Sequence, residues 1–151
     1  MRSLNFGQDS PRDHFDQLVE SVTRLKNSPT EIGLGQQAAI NAWSLTEWVF
    51  LHEPEFCEGS LTQYANEVKT LCPELALLQD ICNAKKHTRI DRYTPKVKNT
   101  ERSGGFSRAF SRSFKQAGLY VIDAQEGRFL LDDLLDAAVA FWSNRLSDLE
   151  L

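Results

Sequence analysis

The sequence predicts a mostly α-helical fold, a bundle of four or five helices with a small β-hairpin and a long basic loop. Three observations lead there. Helix-start signals recur at "SPRD", "SPTE" and "SLTQ", and apolar residues follow each at helical spacing. Residues 88–128 alone lack that period. At 151 residues the chain reads as one domain, 1–151, long enough to bury about 70% of its unfolded surface.

Helix one opens on Ser10 as N-cap, with Pro11 at N1 and Asp13 at N3. Phe15, Leu18, Val19, Val22 and Leu25 form its apolar stripe, so it runs to about Lys26. Helix two is expected from Pro29 to His52, with Ser28 and Glu31 repeating the cap and Ala38, Ala42, Leu45 and Val49 facing the core. Gly33 and Gly35 weaken its first turns by about 1 kcal/mol each relative to Ala. "GLGQ" follows no strand, so it carries no phosphate-binding expectation. Ser60 and Gln63 open a short third helix ending near Leu71. Pro73 starts the fourth, with Leu75, Leu78, Ile81 and Cys82 turned inward. Residues 88–128 read as a long loop with room for short strands. Leu119 to Ile122 and Arg128 to Leu131 form a hairpin turning near Glu126-Gly127. The last helix carries the clearest stripe, Leu131, Leu134, Leu135, Ala138, Val139, Trp142 and Leu146. Asp132, Asp133 and Asp136 suit its positive N-terminal end.

The composition, 41% hydrophobic and 25% charged, is that of a soluble globular chain. No apolar run approaches the roughly 18 residues of a membrane span, and "MRSLNFGQDSPRDH" has no long apolar core, so neither membrane association nor a signal peptide is expected. Cys57, Cys72 and Cys82 are odd in number without a CxxC, which fits reduced thiols in a cytoplasmic protein, Cys82 in the core. His14, His52 and His87 are scattered and no HExxH occurs, so no metal and no cofactor are expected. Cys57 lies among Glu53, Glu55 and Glu58 with no basic neighbour in sequence, a poor setting for a nucleophile.

Charge is strongly segregated. Residues 85–115 hold ten Lys and Arg against Asp91 and Glu101, a net +8, while the remainder holds seven basic and nineteen acidic residues, a net −12. Such separation suits either a polyanion or the acidic remainder of the same molecule or of a second copy. On helix four, Asp80, Asn83 and His87 share one face. That face is suited to positioning a phosphate or transferring a proton. A structural role competes, in which Asp80 and Asn83 hydrogen-bond helix two through Asn41, Ser44 and Glu47, and Lys86 and His87 complement the helix dipole.

"LLQDICNAKKH", set on a helix facing an earlier long helix, resembles the HEPN superfamily of prokaryotic helical domains. The resemblance covers residues 29 to 90. It implies an all-α fold, a homodimer lining one cleft, and a phage-, mobile-element- or defence-related bacterial setting. Many HEPN members cleave RNA with an Arg followed four to six residues later by His. His87 matches the histidine, with Asn83 as a polar companion, but Asp80, Ile81 and Cys82 stand where the arginine belongs. The cation expected to stabilise the reacting phosphate is therefore missing from helix four, and little or no ribonuclease activity is expected.

In "GGFSRAFSRSFKQ", Phe106, Phe110 and Phe114 recur every four residues with Arg108, Arg112 and Lys115 between them. The pattern suits base stacking beside phosphate neutralisation, and equally an amphipathic element burying its rings. The leading expectation is a non-catalytic domain binding nucleic acid (RNA or DNA) or nucleotide through Asn83, Lys85, Lys86, His87, Arg89, Arg92, Arg108, Arg112 and Lys115. The alternative is a protein-interaction or assembly module in which Asn41, Glu47 and Asp80 are purely structural. A HEPN-type ribonuclease using His87 ranks third.

Overall fold

A computed structural model of the chain describes residues 10–57, 59–86, 96–103, 117–123 and 127–151. Five helices and three strands follow one another among them: α1 (Pro11–Asn27), α2 (Ile32–His52), α3 (Leu61–Leu71), α4 (Glu74–Lys86), β1 (Val97–Ser103), β2 (Gly118–Asp123), β3 (Gly127–Leu130) and α5 (Leu131–Asp148). A single 3₁₀ turn, Pro54–Phe56, links α2 to α3. No helix among the described residues is long and apolar enough to cross a membrane.

Two of the three expected caps form. Ser10 Oγ accepts from the Asp13 amide at 3.2 Å and the Asp13 carboxylate accepts from the Ser10 amide at 3.2 Å, while Ser60 and Gln63 repeat the exchange at the start of α3. Each box satisfies two amides that have no intrahelical acceptor. The third does not form. Ser28 closes α1, its amide donating to the carbonyls of Arg24 and Leu25, and α2 begins at Ile32 after Glu31 with no side-chain cap. The two serines share φ −138°, but ψ is 157° at Ser10 and 68° at Ser28, so Ser28 lacks the extended conformation a cap requires.

Helix α2 runs through the middle of the bundle and packs on α1, α4 and α5. Ala38, Ala39, Ala42, Leu45 and Val49 are fully buried, and the three alanines let its neighbours approach. Gly35 has a packing reason. A Cβ there would stand 2.5 Å from Leu119 Cδ1 and 2.8 Å from Leu131 Cδ2, where α2 passes between the sheet and α5. From α5, the fully buried Trp142 donates its indole N–H to the Ala42 carbonyl at 2.9 Å. In α1 the stripe is narrower than expected, since Val19 is 39% exposed. On α4, Leu75, Leu78 and Cys82 are buried and Ile81 packs at the rim.

The β element exceeds the expected hairpin. Within the stretch read as a long loop with room for short strands, residues 97–103 form strand β1, which pairs antiparallel with β2 in a sheet ordered β1-β2-β3. "VKNTERS" contains one apolar residue and no alternation, so its strand conformation comes from pairing with β2 and not from its own pattern. Glu101 sits across from Tyr120, and Tyr120 from Leu130. Arg128 crosses that row, 3.0 Å from Glu101 and with its guanidinium 3.8 Å from the Tyr120 ring centroid, so it clips the outer strand to β3. Leu119 and Val121 of β2 enter the helical core, and β3 passes directly into α5 at Leu131.

Candidate functional site

The polar face of α4 meets the start of β1. Asp80 is only 4% exposed, and its Oδ2 accepts the Lys96 amide at 2.7 Å and the Val97 amide at 2.8 Å. An ionised oxygen taking two backbone donors makes strong, charge-assisted bonds and satisfies amides at the start of β1. Val97 meanwhile packs its side chain against the core, so one residue is held by both its amide and its side chain. Asp80 bonds β1 where the sequence expects helix two. Asn41 Oδ1 accepts from Gln37 on its own helix, Ser44 Oγ donates to the Asn41 carbonyl, and Glu47 is exposed. Asp80 instead takes two backbone amides where the chain enters β1.

Cations gather around this anchor. Lys69 of α3 donates to Gln79 Oε1 at 3.1 Å, and its ammonium lies 5.9 Å from the Trp43 ring centroid. Burial pushes the Lys69 pKa down; Asp80 works against that shift and Lys96 adds to it. Lys69, Asp80 and Lys96 therefore share one electrostatic neighbourhood, contributed by α3, α4 and the start of β1. Asn83, one turn beyond Asp80, is half-buried. The arrangement sets the Lys69 ammonium beside the half-buried indole of Trp43, which suits an anionic group next to a planar one.

Of the residues the sequence singles out for binding, Lys85 and Lys86 occupy the last turn of α4. His87, Arg89, Arg92, Arg108, Arg112 and Lys115 lie outside the described residues, as do Phe106, Phe110 and Phe114. Within the basic segment two anchorages are described, Lys96 on Asp80 and Ser103 paired with Gly118. Between these two anchorages runs β1, whose seven residues span about 20 Å at 3.3 Å per residue. Arg102 stands exposed on it. Lys69 and Trp43, which complete the neighbourhood, carry no sequence signal, because each lies on a different helix from the motif.

No protein-family model, curated protein or solved structure matches this chain.

Two further polar clusters arise from residues far apart in sequence. Arg145 of α5 approaches Tyr64 of α3, with its guanidinium 5.5 Å from the ring centroid and 3.5 Å from Glu67 Oε1. Burial lifts the Tyr64 pKa to about 12, with Arg145 opposing. Cys57 has a basic neighbour after all, for Arg145 pulls its thiol pKa down, but burial outweighs it and the net shift is upward. A thiol so shifted is a weak nucleophile. Elsewhere His14 and His52 stack on Trp48, at centroid distances of 3.9 and 5.4 Å. Two histidines that are scattered in sequence thus meet across α1 and α2. Burial lowers the His14 pKa, His52 adds to that shift, and Asp13 opposes it.

Proposed function

We propose that this chain is a non-catalytic, helical nucleic-acid-binding module whose basic segment is held against the bundle at the α4–β1 junction. The observation that carries the reading is the capture of the Lys96 and Val97 amides by buried Asp80, with Lys69 and Trp43 beside them. It fastens a stretch of net +8 to the fold at a point where two more groups suited to a phosphate and a base already stand. A segment held at Lys96 and Val97 loses less conformational freedom on binding than a free tail would. Asp80 is not available to repel a phosphate at full strength, because its Oδ2 is engaged by backbone donors.

Fluorescence anisotropy with generic single-stranded RNA and DNA at about 50 mM salt tests the reading. Binding should weaken steeply as salt rises, since released counterions drive it, with the log–log slope falling by about 0.7 for each phosphate-contacting residue replaced in a single-strand complex. Lys69→Ala with Lys96→Ala should reduce affinity, as should Arg108→Ala with Arg112→Ala and Lys115→Ala. Absence of binding to both RNA and DNA would transfer the reading to a protein-interaction module. A cleavage activity that disappears in His87→Ala would replace it with a ribonuclease.

A further inference from the structure

The three tryptophans of the chain occupy three different settings. Trp142 is fully buried, with its indole N–H on the Ala42 carbonyl. Trp48 stacks with His14 and His52, at centroid distances of 3.9 and 5.4 Å. Trp43 is half-buried and packs against the core, and among the described residues no aromatic ring stacks on it. Its neighbour is a cation instead, the Lys69 ammonium 5.9 Å from the ring centroid.

An indole anchored in a core is a rigid stacking surface, because packing has already fixed its torsions and little order is lost on binding. Lys69 is held as well. It is half-buried, and Gln79 of α4 accepts from its ammonium at 3.1 Å. A nucleotide whose base lies on the indole carries its phosphate off to one side, across the sugar. A fixed cation beside the ring complements that shape. From Lys69 a nucleic-acid backbone can continue toward Lys96, exposed where the chain enters β1, and Arg102, exposed further along the strand. The acidic side chains on this path are already engaged, Asp80 by two amides and Glu101 by Arg128 at 3.0 Å. A duplex fits the ring poorly. Its interior bases are stacked and paired, and bringing one onto Trp43 would require opening the pair. In a single strand the bases are free of that cost.

We propose, on the nucleic-acid-binding reading above, that Trp43 makes the junction selective for single strands, with an unpaired base stacked on its indole and the adjoining phosphate at Lys69. Titration of the full chain at low salt with three probes of equal length tests this: oligothymidylate, an abasic oligomer with the same phosphates, and a blunt duplex. Oligothymidylate should bind about tenfold or more tighter than the abasic oligomer, the difference being the stacked base, and tighter than the duplex. Trp43→Leu should erase that preference and leave the affinity for the abasic oligomer unchanged, which a merely structural role of the ring would not do. Tryptophan emission should fall as oligothymidylate binds. Trp43→Phe, which keeps an aromatic ring in the core, should retain most of the affinity but lose that fall, and it carries the test should Trp43→Leu fail to fold. Equal binding of the single strand and either other probe would overturn the selectivity and leave the nucleic-acid reading standing. So would a fall in emission that persists in Trp43→Phe. No binding of any of the three would overturn both.

Discussion

Two side chains tie distant parts of this molecule together by bonding to backbone, and they do so in different physical settings. Trp142 reaches from α5 to the Ala42 carbonyl inside the apolar core, and Asp80 reaches from α4 to the amides of Lys96 and Val97. The first bond is neutral and incidental to a large buried surface. The second is charged and carries most of the connection at its site. The core would survive the loss of the indole hydrogen bond if the ring volume remained, whereas the junction depends on the carboxylate itself.

The comparison breaks if the core proves less sensitive to volume than the junction is to charge. Trp142→Ala should cost about 3–5 kcal/mol of unfolding free energy in urea denaturation, and Trp142→Phe, which keeps most of the volume, about 1–2 kcal/mol. Asp80→Ala should cost about 2–3 kcal/mol by removing an ionised acceptor from two amides. Asp80→Asn, which keeps an acceptor oxygen, should recover part of that loss. Hydrogen exchange sharpens the distinction. In Asp80→Ala the amides of Lys96 and Val97 should exchange faster while those in the middle of α2 keep their protection; uniform acceleration would mean that Asp80 supports the whole bundle.

A smaller effect separates the two Ser-Pro starts. Ser10→Ala should cost about 1 kcal/mol because the cap it makes is real, and Ser28→Ala should stay within about 0.5 kcal/mol because its side chain caps no helix.

The smallest expected effect concerns His14. Its folded pKa lies below the ordinary 6.5, so between the two values the unfolded chain binds more protons and stability rises with pH. The contribution is fully present above about pH 6.5 and is lost as pH falls toward the folded value. Urea midpoints of wild type and His14→Gln across this range should diverge most at the alkaline end; parallel profiles would remove His14 from the account.

What was legible in the sequence was local. The Ser10 and Ser60 caps involve residues three apart, the stripes of α1, α2 and α5 repeat within each helix, and the β2–β3 hairpin spans a short turn. The rest depended on distance or on dihedral choice. "SPTE" contains every residue a capping box needs, yet Ser28 was already committed to ending α1. Strand β1 has no pattern of its own and is made by β2. Asp80 was readable as a buried polar group on the inner side of α4, but its partners were not, because main-chain amides leave no mark in a sequence. Lys69 and Trp43 were invisible as site residues for a related reason: three separate elements bring them to the junction.

A titration of the ¹⁵N-labelled chain with single-stranded RNA at low salt, followed by amide chemical shifts, tests whether the α4–β1 junction presents the basic segment to a polyanion. Saturable shifts should centre on Lys69, Asn83, Lys96, Val97 and Arg102 and reverse on raising the salt, while amides beside His14 and Trp48 stay fixed. Shifts centred on the α1–α2 face, or no shifts at any RNA concentration, would contradict it.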